Sequence, residues 1–152
     1  FPESGWDKVM DLNVKSLFFL TQKFAPLLRA SATAERPAKV INMASVDGIH
    51  NARPETYSYS ASKAAVIHLT RRMAKRLVEE HIHVNAIAPG AFASNMNVWA
   101  RDNPEEVTQR IPARRIGRPD DMAGTAIFIS SRAGDYLVGI TIPVDGGVAF
   151  AN

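Results

Sequence analysis

The stretch IHVNAIAPG, residues 82–90, decides the fold. Its apolar run reads as a buried β-strand, stopped abruptly by Pro89 and Gly90. Upstream, KVINMAS at 39–45 carries Val40, Ile41 and Met43 in a second short apolar run, of the kind a parallel sheet buries on both faces. Downstream, ITIPVDGG at 140–147 reads as a last strand ending in a glycine turn. Helical patterns separate the three. From Asp7 to about Ala30, Met10, Val14, Leu17, Phe18, Phe24 and Leu28 recur at helical spacing, with Pro26 expected to bend the helix near its end. A second helix covers roughly Tyr59 to Glu80, with Ala61, Ala65, Leu69, Met73 and Leu77 as its expected buried stripe. A third spans 118–131, where Pro119, Asp120 and Asp121 suit a helix start. Helices alternating with short apolar strands imply βαβ units around a parallel sheet.

In such sheets ligands sit beyond the carboxyl ends of the strands. Ser45, the segment PGAFASNM at 89–96 and the DGG turn at 145–147 all fall there. So does the start of the second helix, YSYSASK, residues 57–63. Residues four apart share a helix face, so Tyr59 lies one turn from Lys63 while Tyr57 does not. A free phenol, with a reference pKa of about 10, is a slow proton donor at neutral pH. A lysine cation about 4 Å away, at an effective dielectric of about 20, favours the phenolate by roughly 4 kcal/mol, and desolvation returns part of that. Ser45 precedes Tyr59 by fourteen residues, a separation that suits a strand end and the following helix converging.

Composition narrows the function. The 152 residues suffice for one domain with a core, and the absence of cysteine excludes disulfides, thiolate chemistry and cysteine-based metal sites. No apolar run is long enough to span a membrane, and no apolar secretory segment opens the chain, so a cytoplasmic protein is expected. The net charge of +3 is spread through many arginines without interleaved aromatics, which argues against nucleic acid as a partner. His50, His68, His81 and His83 show no repeated metal-ligand spacing beyond a His-x-His at a strand entry, so no metal is expected.

Six stretches in this order, DLNVKSLFFLTQ, KVINMASVDG, YSASKAA, HVNAIAPG, RIGRPDDMA and ITIPVDGG, resemble the short-chain dehydrogenase/reductase family, in the branch of the 3-oxoacyl-carrier-protein reductases. The resemblance covers essentially the whole chain. It implies an α/β fold, the second half of a Rossmann-like doubly wound parallel sheet, with three parallel strands and their helices. It also implies an NAD(P)H-dependent oxidoreductase that reduces a ketone, 3-oxoacyl in that branch, to a secondary alcohol. In that reading Asn13, Ser45, Tyr59 and Lys63 are catalytic. Tyr59 is the proton donor, and Lys63 tunes it and binds the nicotinamide ribose. Ser45 holds the substrate oxygen, and Asn13 anchors a water in a proton relay. Pro89, Gly90, Phe92 and Ser94 would complete the nicotinamide site; Ser94 stands where the family has threonine in P-G-x-x-x-T, keeping the hydroxyl and losing the methyl.

The family's glycine-rich phosphate-binding turn and its Asn-Asn-Ala-Gly segment are expected upstream, so residues 1–152 read as a single partial domain, the catalytic half, whose N-terminal half is absent from this chain. In the family's strand order KVINMA would pair with a strand of that other half and is expected to be an unpaired apolar edge here. The connection 91–118 corresponds to the family's substrate lid, with Met96 and Trp99 as candidate substrate contacts beside Ser45 and Tyr59, and Val98 as lid core. NADP(H) is expected rather than NAD(H). The expected partners are a small carbonyl or acyl substrate and further copies of the chain, as a tetramer or dimer. The alternative is a truncated, non-catalytic oligomerisation or regulatory subunit of the same family.

Overall fold

The computed structural model describes residues 1–51 and 55–151. The chain opens with α1 (Glu3–Met10), a single π-helical turn (Asp11–Lys15) and α2 (Ser16–Ser31), a continuous helical run that passes through Pro26. Then come β1 (Ala38–Met43), a 3₁₀ turn (Val46–Gly48), α3 (Tyr57–Leu77) and β2 (Ile82–Pro89). Two short helices, α4 (Val98–Asp102) and α5 (Pro104–Gln109), precede α6 (Pro119–Ser130) and β3 (Thr141–Val144). The strands form one parallel sheet in the order β1-β2-β3, with Ala38 opposite Ile82 and Ala86 opposite Thr141. The βαβ reading and the parallel sheet hold, as an α/β fold.

The central strand β2 is the most deeply buried element. Ile82, Val84, Ala86 and Ala88 pack on one face against α3 residues Val66, Ile67, Met73, Ala74 and Leu77. On the other face Asn85 meets the segment after α6, its amide nitrogen donating to the Leu137 carbonyl at 2.8 Å and its oxygen accepting from Ile140 N at 3.1 Å. Lys39 of β1 lies on that face as well, paired with Asp135 at 2.8 Å. Helices therefore cover both sides.

Three expectations need correction. The buried stripe of α3 is Ser58, Ser62, Val66, Thr70, Met73 and Leu77, with Lys63, Ile67 and Ala74 beside it, while Ala61 is exposed and Ala65 and Leu69 are half-buried. Polar side chains displace alanines from the core face because their hydroxyls are satisfied within the helix: Ser62 donates to the Tyr59 carbonyl at 2.7 Å and Thr70 to that of Val66 at 2.8 Å. Thr70 also accepts from the buried Asn42 amide of β1 at 2.9 Å. Second, β1 is buried more fully on the α3 face than on the other, and Met43 is 46% exposed, since among the described residues β1 pairs with β2 alone. Third, Val98 is 44% exposed; the core of the connection 91–118 is Ala100, Val107 and Ile111, packed on Ala91, Ile116 and Val148.

Candidate active site

Parallel pairing brings the ends of β1, β2 and β3 to one edge, and the first turns of α3 cross the end of β1. Lys63, on the second turn of α3, points its amine inward and is only 9% exposed. Its Nζ donates to the Met43 carbonyl at the last residue of β1, 2.9 Å away, and stands 5.5 Å from the centre of the Tyr59 ring. Burial pushes the Lys63 ammonium below its ordinary pKa of 10.5. Tyr59 itself is half-buried. Tyr57 is not part of this arrangement: its hydroxyl donates to Glu55 Oε1 at 3.1 Å, and its ring lines a surface hollow with Phe1, Glu3 and Trp6.

Ser45 leaves β1 in extended conformation and is 6% exposed. Its Oγ accepts from the Asp47 backbone N–H at 3.2 Å, which occupies a lone pair and leaves the O–H free to donate. Burial pushes the nearby Asp47 carboxyl up, with His50 opposing the shift. Gly48 closes this turn against α3. A Cβ at that position would lie 2.6 Å from the Lys63 carbonyl carbon, so only glycine lets the Ser45 turn sit directly on the helical turn of Lys63.

Asn13 comes from the helical run that precedes β1. It sits in the π-helical turn, and its Nδ2 donates to Ser62 Oγ at 2.9 Å. Such a turn shifts the backbone ladder by one residue and leaves a carbonyl without its usual partner, a feature often found at functional sites. Asn13 is thus joined to α3 between Tyr59 and Lys63. Ser62 carries no signal in the sequence, where it looks like one more small residue of a helix.

At the end of β2, Gly90 N donates to the Val144 carbonyl at 2.9 Å, and a Cβ on Gly90 would come within 2.7 Å of Asp145 Cα. Pro89 and Gly90 therefore lie directly against the turn after β3. That turn is held by Asp145, which accepts from Gly147 N at 2.9 Å and Ala149 N at 2.7 Å, with Gly146 and Gly147 at positive φ. Phe92 forms an isolated parallel bridge with Gly117, where a Cβ would overlap the Phe92 ring. With Arg115, Asp121 and the Asp145–Gly147 turn, these two residues line a cleft of about 330 Å³.

The lid candidates are less enclosed. Ser94 is exposed, and its Oγ accepts from Asn97 N at 3.0 Å, a local turn bond ahead of α4. Met96 is 82% exposed, and Trp99 lies 5.0 Å beneath the Arg110 guanidinium. Of the five arginines in 91–118, Arg101 pairs with Asp102 and Arg110 with Glu106, each at 2.7 Å. Arg115 holds Asp121 bidentately at 2.6 and 2.9 Å, and with the Arg118 backbone N–H it keeps that carboxyl far below the usual range. Among the described residues no group of three or more His, Asp or Glu is arranged to hold a metal, and no helix is long and apolar enough to cross a membrane.

Residues 1–149 match the profile of the family described as enoyl-(acyl carrier protein) reductase. The chain is 49% identical over 150 residues to a rhamnolipids biosynthesis 3-oxoacyl-[acyl-carrier-protein] reductase of Pseudomonas aeruginosa, covering 97% of this chain and 59% of that protein. It is 42% identical to a 2-dehydro-3-deoxy-D-gluconate 5-dehydrogenase of Escherichia coli, again covering 97% of this chain and 58% of the relative. Among solved structures, the RhlG/NADP active-site complex of Pseudomonas aeruginosa superposes with a TM-score of 0.94 at 49% identity, over 99% of this chain and 60% of that one. A gluconate 5-dehydrogenase of Burkholderia cenocepacia, in complex with NADP and tartrate, gives 0.87 at 34% identity over 97% and 57%. The chain thus spans about three fifths of the length of the relatives it matches.

Proposed function

The chain belongs to the short-chain dehydrogenase/reductase family, and from that premise we propose that the protein reduces a ketone to a secondary alcohol with NADP(H), using Asn13, Ser45, Tyr59 and Lys63. The observation that carries this reading is the buried Lys63 amine beside the Tyr59 ring at the carboxyl end of β1, with the nearly buried Ser45 two residues beyond that strand.

The residues present fit the nicotinamide end of such a cofactor. An ammonium carries three donors, and among the described residues Lys63 Nζ has one acceptor, the Met43 carbonyl, which leaves donors for ribose hydroxyls. Pro89, Gly90, Phe92 and Ser94 would flank the carboxamide, with Gly90 letting the chain pass directly against Asp145. NADP in the RhlG and gluconate 5-dehydrogenase structures supports NADP(H) here. When bound, the nicotinamide supplies the hydride that adds to the carbonyl carbon.

This chain's own groups handle the oxygen. Ser45 donates its O–H to the substrate carbonyl, which can only accept, while Asp47 N–H holds one of the Ser45 lone pairs. Tyr59 gives the phenolic proton to the same oxygen as the C–H bond forms, so the product leaves as a neutral alcohol. Lys63 stabilises the phenolate left behind, and its buried charge acts in a medium that screens it weakly. A positioned acid contributes about 10²- to 10⁴-fold, and a hydroxyl aimed at the developing charge about 10²- to 10³-fold.

Residues 91–118 serve as the substrate lid, with Met96 and Trp99 as its exposed apolar contacts. Similarity to the Pseudomonas aeruginosa reductase supports a 3-oxoacyl substrate, and similarity to the gluconate dehydrogenases supports a keto sugar acid. The exposed row Leu12, Leu20, Phe24 and Leu27 along α1–α2 supports assembly as a dimer or tetramer. The test is NADPH consumption by the whole protein that carries this chain, with a 3-oxoacyl thioester and a keto sugar acid in parallel. Consumption with either supports the reading, and none with a broad panel of ketones refutes it.

A further inference from the structure

Ser62 is completely buried, and its hydroxyl is used in both directions. It accepts from Asn13 Nδ2 at 2.9 Å and donates to the Tyr59 carbonyl at 2.7 Å. Ser62 stands 49 residues from Asn13 in the chain, so the bond ties together two elements that nothing local connects. On one side is the π-helical turn Asp11–Lys15 between α1 and α2; on the other is the turn of α3 that begins with Tyr59 and ends with Lys63. A hydroxyl can turn about its Cβ–Oγ bond, and here its donor is fixed on the Tyr59 carbonyl, which aims its lone pairs at the Asn13 amide.

From this chain of bonds we infer that Ser62 is a positioning residue for the reduction. It sets the first turn of α3, and with it the Tyr59 ring, against the π-turn that carries Asn13. The inference rests on the proposed reaction. Ser62 touches no reacting atom. Its effect runs through the placement of Tyr59, where displacement by about 1 Å can cost about 100-fold in rate.

Alanine at 62 suits the helix better than serine does, so Ser62→Ala is not expected to unfold α3. The experiment is a double-mutant cycle on the whole protein with Ser62→Ala, Asn13→Ala and both together, reading kcat, the KM for NADPH and the thermal midpoint. Each single variant is expected to lose about tenfold in kcat with the KM for NADPH nearly unchanged, and the double variant is expected to be no worse than about threefold below the slower single one. A residue that only filled space would change the thermal midpoint without this split. Two results overturn the inference while leaving the reaction intact: Ser62→Ala with wild-type kcat, or losses that multiply to about 100-fold in the double variant. A wild-type protein that reduces no ketone overturns the enzyme reading, and this inference with it.

Discussion

Gly48→Ala is the most informative single-atom perturbation of the site. Gly48 closes the 3₁₀ turn after Ser45, its N–H donating to the Ser45 carbonyl at 3.0 Å, and its φ is not in the left-handed region. Alanine can therefore adopt the backbone, and any penalty comes from the close approach alone. The added Cβ would stand 2.6 Å from the Lys63 carbonyl carbon, 2.7 Å from Ala64 N and 2.8 Å from the Lys63 carbonyl oxygen, all of them backbone atoms. Restoring ordinary contact near 3.4 Å requires the Ser45 turn and α3 to separate by about 0.8 Å. Overpacking of that kind costs about 1–3 kcal/mol. The movement also separates Ser45 from Tyr59 and Lys63, and misplacement on this scale costs about 10- to 100-fold in kcat. Urea unfolding measures the first quantity and steady-state ketone reduction the second. An unfolding free energy within about 0.5 kcal/mol of wild type, together with an unchanged kcat, would show that the turn does not hold the two halves of the site in register.

Two further variants probe the support around the site. Thr70→Val keeps the shape of the side chain but leaves the buried Asn42 amide without its partner on α3, and it should lower stability by about 1–3 kcal/mol in chemical denaturation. Asp121→Asn removes a carboxylate held below its ordinary pKa of 3.8 by Arg115 and by the Arg118 backbone N–H. A carboxyl lowered by folding stabilises the native state fully above its unfolded pKa and loses that contribution as pH falls through the folded value. The variant should therefore melt earlier than wild type at pH 7, and the gap should narrow as the pH is taken below about 4; a gap that persists in acid would contradict the pairing.

Much of this site was legible in the sequence because its signals are local. The spacing of Tyr59 and Lys63 placed them on one face of one helix, and the breaks at Pro89 and Gly90 marked the end of β2. The errors came where tertiary contacts decide. Ser62 and Thr70 look like surface residues by polarity, yet each finds a carbonyl inside its own helix and a partner on another element, so the core face of α3 is rotated from the alanine stripe. Val98 lost its expected burial because Ala100, Val107 and Ile111 form the core of 91–118, and a five-residue helix can turn only one side inward. The bond between Asn13 and Ser62 has no signature at any spacing, since it depends on how α1–α2 docks against α3.

Tyr59→Phe in the whole protein tests the proposed proton donor most directly. The ring and its place near Lys63 remain, and only the hydroxyl is removed. Ketone reduction should fall by at least about 100-fold while NADPH binding, followed by nicotinamide fluorescence, stays within about threefold of wild type. Reduction at the wild-type rate by the phenylalanine variant would contradict the assignment of Tyr59 as the acid, and with it the reading of this strand edge as a carbonyl-reducing site.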